Sequence, residues 1–85
     1  MKEIFYVVKS EFGLHARPAG LLTRLAGQYQ SLVQVQCEER VCDVKRMMSL
    51  MGMDIKKGEK LHISIEGSDE EDAYLAIQKF LAENL

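Results

Sequence analysis

The stretch "SLVQVQCEERVCDV", residues 31–44, alternates apolar and polar side chains and then returns after a short charged break. Val33, Val35 and Cys37 fall on one face of an extended chain, with Gln34 and Gln36 on the other. A strand with one apolar face belongs to an antiparallel sheet that needs cover on one side only. "RVCDV", residues 40–44, supplies the partner strand of a hairpin. "KLHISIE", residues 60–66, repeats the alternation, with Leu61, Ile63 and Ile65 inward and His62, Ser64 and Glu66 outward. "IFYVV", residues 4–8, is β-branched and aromatic and reads as a further strand.

Between these strands the period changes. From Ala16 onward, Ala19, Leu22, Leu25, Ala26 and Tyr29 recur at helical spacing and make one apolar stripe. Pro18 suits the first turn, where its missing N–H has no intrahelical partner to lose. Gly27 weakens the end of that helix, so fraying toward Gln30 is expected. "KRMMSLMGMDIKKGE", residues 45–59, reads as a short helix from about Arg46 to Met51 followed by a loop. "GSDEEDAYLAIQKFLAENL", residues 67–85, starts with Ser68 as the expected N-cap and acidic residues where the helix dipole favours them. Ala73, Ala76, Ile77, Phe80 and Leu81 form its buried stripe. The order βαββαβα, with one polar sheet face, predicts an α+β, two-layer open-faced β-sandwich. Its four-stranded antiparallel sheet carries three helices on one face.

The 85 residues leave room for a single domain, 1–85, with one core. Apolar residues at 47% and charged residues at 28% are the balance of a soluble globular chain. The net charge of −2 is spread through the sequence, with no cationic tract for nucleic acid or a membrane surface. Arg17, Arg24, Lys45 and Arg46 nonetheless recur near the segments of interest, so a local positive face is expected. The N-terminal apolar run is too short for a signal peptide or a membrane span, which points to the cytoplasm. If Glu38 and Glu39 form a two-residue turn, Cys37 faces Arg40 and Cys42 faces Val35. The sulfurs are then diagonal neighbours, poorly placed for a disulfide, and both are read as reduced. With His15 and His62 far off in sequence they make no structural zinc site.

"EFGLHARPAGLL", residues 11–22, raises the chemical question. A lone loop histidine is most often a structural residue, and His15 lacks the nearby partners of a metal ligand. Its position favours a third role. It stands at the start of a helix, where first-turn N–H groups point outward unsatisfied and attract anions. Arg17 adds a guanidinium fork matched to phosphate oxygens, and Gly13 gives the chain freedom to present the ring. A neutral imidazole nitrogen beside such donors is placed to accept a phosphoryl group. No Walker-type loop, carboxylate pair or metal cluster is present to activate a nucleotide or a water. A relay between two other proteins is the expectation, with no cofactor and no stand-alone enzyme activity.

"GLHARPAGLL" resembles the active-site segment of the HPr family, the histidine-containing phosphocarriers of the bacterial phosphoenolpyruvate-dependent sugar phosphotransferase system. The element order, "VKRMMSLMGM" at residues 44–53 and "ISIEGSDEEDA" at residues 63–73 resemble the family too. The resemblance implies that enzyme I phosphorylates Nδ1 of His15 and that the group passes to the IIA component of a sugar permease. It implies that Arg17 neutralises phosphate charge and that the amides of Ala16 and Arg17 cradle the oxygens, in a carrier expected to act as a monomer. It also makes the methionine helix a docking patch, with Met47, Met48 and Met51 adapting to several partners. Phe12 would add apolar surface to that patch. Arg24 and Arg46 would give it a basic rim that steers acidic surfaces.

The sequence departs from the family at several positions. Arg46 stands where many members carry a regulatory serine, so no serine switch operates there. Phe12 replaces a small polar residue. Glu38-Glu39 replaces the asparagine–glycine that eases a type I′ turn, so a longer or different turn is expected. Asp54 stands where glycine is frequent. These leave room for a rival: a regulatory module of the same fold that works by docking rather than by phosphotransfer.

Overall fold

A computed structural model of the chain describes residues 1–85. The elements are β1 (Lys2–Val7), α1 (Ala16–Ala26), β2 (Leu32–Cys37), β3 (Arg40–Asp43), α2 (Met47–Gly52), β4 (Lys60–Glu66) and α3 (Glu70–Asn84). The strands form one antiparallel sheet in the order β1-β4-β2-β3. This is the expected open-faced sandwich, and the alternation that predicts it is visible in the register. Val35 pairs with Ile63 on β4 and with Cys42 on β3, and Ile63 pairs with Ile4 on β1. Those side chains face the helices, while Gln34, Gln36, Phe5 and His62 take the open face.

Three helices cover the inner face, and 20 apolar side chains form one core cluster. Leu22 of α1, Leu50 of α2 and Ile77 and Leu81 of α3 are almost completely removed from water. Each such side chain contributes about 1.5–3 kcal/mol of burial. Leu25, Tyr29 and Phe80 from the expected stripes are only partly buried and pack at the rim of the core.

Several local expectations need correction. β1 begins at Lys2 and ends at Val7, because its first residue pairs with Ile65 and its last with Lys60. Arg46 is the N-cap of α2 rather than its first helical residue. The N-cap of α3 is Asp69, not Ser68, and its side chain makes no cap bond. Its carboxylate instead accepts the Gln30 and Ser31 amides and the Ser31 hydroxyl at 2.8, 2.9 and 2.5 Å. The carboxyl of Asp69 is held below its ordinary range chiefly by that hydroxyl. The β2–β3 turn is no longer than two residues, since Cys37 pairs with Arg40. It differs from type I′ in that Glu38, at φ 57°, is the one central residue with positive φ. Asp54 takes the left-handed conformation at φ 50°, which aspartate tolerates better than most residues. Both cysteines are free thiols.

Candidate functional site: an open helix mouth at His15

The site is built from the backbone of residues 10–19. Gly13 adopts φ 65°, and a Cβ there would run into the Ile55 carbonyl oxygen, so glycine is required on both counts. Its amide closes a turn onto the Ser10 carbonyl at 3.1 Å, and the Leu14 amide donates to the Ile55 carbonyl at 2.9 Å. Leu14 is buried, which pins the segment to the core. His15 follows as the N-cap of α1, extended at φ −87° and ψ −172°. Its carbonyl accepts the Ala19 amide at 3.0 Å, the first bond of the helix.

Beyond that bond the mouth is unsatisfied. The amides of Ala16 and Arg17 find no acceptor in the chain, and Pro18 has no N–H to offer. The His15 ring and the Arg17 guanidinium are both exposed and make no hydrogen bond or ion pair. Pro18 and Ala19 turn inward, so the helix is anchored by its far face while its mouth faces solvent. Two amide donors without acceptors, an exposed guanidinium and an exposed imidazole thus fall within three consecutive residues at the start of a helix, a donor set suited to an anion.

Two grooves flank the ring. One, about 570 Å³, lies between Phe12 and the loop after α2 and is walled by Asp54, Ile55, Lys56 and Lys57. The other, about 280 Å³, runs past Arg17, Pro18 and Leu21 to Asn84 at the end of α3. The Phe12 and His15 rings meet edge to face, with centroids 6.0 Å apart and an interplanar angle of 77°. Phe12 is itself 77% exposed, so it extends the apolar surface beside the ring without covering it.

Of the expected docking residues, Phe12 and Met51 line the larger groove beside His15, and Met47 lies against Gly20 of α1. Met48 is the most exposed methionine of α2 at 81%, with Met47 and Met51 half-exposed, while Leu50 and Met53 supply the burial. The methyl end of Met47 stands 3.2 Å from where a Cβ on Gly20 would be, so α1 and α2 approach closely at that glycine. Arg24 and Arg46 are exposed, as a basic rim requires. Lys45 does not join it, because its ammonium donates to the Tyr29 carbonyl at 2.7 Å. His62 sits on the open sheet face, stacked on Phe5 at 4.5 Å and 3.1 Å from the Glu3 carboxylate, well away from the helix mouth.

Nothing local in the sequence marks the wall at residues 54–57 or the place of Asn84 beside His15. "KKG" after Asp54 marked only a loop. The Leu14–Ile55 bond that brings that loop to His15 spans some forty residues and leaves no local trace.

Fold and site together define a class: small open-faced βαββαβα sandwiches that offer a histidine ring at the start of their first helix. The family model described as the PTS HPr component, phosphorylation site, matches residues 2–83. A phosphocarrier protein HPr from Lysinibacillus sphaericus is 34% identical over 83 residues, covering 98% of this chain and 94% of the relative. The histidine-containing phosphocarrier protein of Mycoplasma superposes with a TM-score of 0.94 at 29% identity, over 96% of this chain and 93% of its own. HPr-C-His from Thermoanaerobacter tengcongensis gives a TM-score of 0.90 at 33% identity, over 96% and 92% of the two chains. The chain belongs to the HPr family, the phosphocarriers of the phosphotransferase system.

Proposed function

We propose that residues 1–85 form a single cytoplasmic, monomeric relay domain that takes a phosphoryl group from phospho-enzyme I and hands it to the IIA component of a sugar permease. The lone pair on Nδ1 of His15 attacks the phosphorus; the bond to the donor nitrogen breaks as the new N–P bond forms. The amides of Ala16 and Arg17 receive the equatorial oxygens, and the Arg17 guanidinium offsets their charge. Neither a cofactor nor a metal takes part. Transfer to the IIA component reverses the same steps on the acceptor. Phe12, Met47, Met48 and Met51 dock the partners, and Arg24 and Arg46 steer acidic surfaces toward the patch.

One observation carries this: the His15 ring is solvent-facing beside two backbone donors that have no acceptor in the chain. Phe12, edge-on to the ring, favours a second reading in which the same face docks partners without transfer. Incubation with phosphoenolpyruvate, magnesium and enzyme I separates the two. Transfer predicts an acid-labile, base-stable mass increase of one phosphoryl group that His15→Ala abolishes. If the cognate enzyme I binds and no adduct forms, the docking reading replaces the relay.

A further inference from the structure

Arg40, on β3, reaches both places where a non-glycine residue carries a positive φ. Its guanidinium donates to the backbone carbonyl of Met53 and, at 3.4 Å, to that of Asp54. It also meets the Glu38 carboxylate at 3.2 Å and the Glu59 carboxylate at 2.5 Å. The other oxygen of Glu59 accepts the Lys56 amide at 2.8 Å. Cys37, Glu38 and Glu59 bring their donor atoms together as a cation site would, and this guanidinium already fills that role. One side chain therefore stitches the β2–β3 turn to both ends of the loop between α2 and β4.

The middle of that loop is the wall of the His15 groove. Ile55 holds Leu14 through its carbonyl and abuts Gly13, and Asp54, Lys56 and Lys57 line the same groove. Arg40 itself lines neither groove at His15. We propose that Arg40 is a positioning residue for the His15 site, fixing the loop from which Ile55 sets the geometry of Gly13, Leu14 and the mouth of α1. The kinetic part of this proposal rests on the relay function above; the conformational part does not.

Arg40→Met and Glu59→Gln break the tie from either end, and Arg40→Lys keeps its charge. Two quantities are followed: hydrogen exchange at individual amides, and the single-turnover transfer rate from saturating phospho-enzyme I. In Arg40→Met the Leu14 amide should exchange at least about tenfold faster while the β4 amides keep their protection. The transfer rate should fall about tenfold with little change in half-saturation, since displaced reacting groups cost rate more than docking. Glu59→Gln should act in the same direction, and Arg40→Lys should recover part of both losses. Unchanged Leu14 exchange and transfer in Arg40→Met would overturn the proposal. So would an equal loss of protection throughout β4, which would make Arg40 a general stabiliser. Should the wild-type protein take no phosphoryl group, the relay fails and the exchange data alone decide for or against Arg40.

Discussion

Around Arg40 the guanidinium, two carboxylates and two backbone carbonyls satisfy one another, whereas at the mouth of α1 the comparable groups are left without partners. Both corners touch the same loop, Met53 to Glu59: Arg40 through Met53, Asp54 and Glu59, and the segment before α1 through Ile55. At the Arg40 corner the charged groups are partly shielded from water and meet one another directly. Exposed amides at a helix start lose little, because water serves them until a ligand arrives. On the proposed reading the two corners divide the labour: the closed corner fixes the loop and the open mouth meets the phosphoryl group.

The largest expected effect separates the two histidines. His15→Ala should abolish phosphoryl acceptance, while His62→Ala, on the far face of the sheet, should leave it at the wild-type rate. Loss of transfer in His62→Ala, measured by intact mass over time, would place chemistry in the wrong region.

Next is Gly13, packed against the Ile55 carbonyl of the shared loop. Gly13→Val should destabilise the fold by about 1–3 kcal/mol through overpacking, before any left-handed strain is added. Urea unfolding measures this, and a wild-type midpoint would show that the Ile55 contact is not a constraint.

The closed corner should also reveal itself in acid. The Lys56 amide, helped by the Arg40 guanidinium, holds the Glu59 carboxyl down to about 2. Because that value lies below the unfolded one, the stabilisation is complete above about pH 4.3 and disappears as pH falls toward 2. Asp69 titrates in the same direction, so acid loosens two loop ties together. Glu59→Gln should therefore flatten part of the stability loss between about pH 4.3 and 2. An unaltered pH profile of the thermal midpoint would contradict the tie.

Smallest for the fold is Met48→Glu. Stability should change by no more than about 0.5 kcal/mol, because the side chain is exposed, while enzyme I binding weakens. Unchanged phosphorylation kinetics would remove the methionine patch from the docking surface.

What the sequence made legible follows from how local each signal is. The alternation in β2 and β4 and the stripe of α1 are repeated along a few turns of chain, and the register and core follow them closely. His15 at the start of α1 was readable because a cap is set by its immediate neighbours. Some of the departures involve distant partners. Asp69 displaces Ser68 as cap while its carboxylate serves the Gln30 and Ser31 amides across the fold. The β2–β3 turn stays short without asparagine–glycine, and Arg40 binds the residue that bears the positive φ. Arg40 looked like one more hairpin residue, since nothing nearby announces Met53 or Glu59.

The most direct test of the open mouth is to follow the backbone amide signals of isotopically labelled protein while phosphoenolpyruvate and enzyme I act on it. The account predicts that the Ala16 and Arg17 amide protons move downfield together, in step with phosphorylation of His15, as they take up the phosphoryl oxygens. Phosphorylated His15 with both amides unmoved would contradict it.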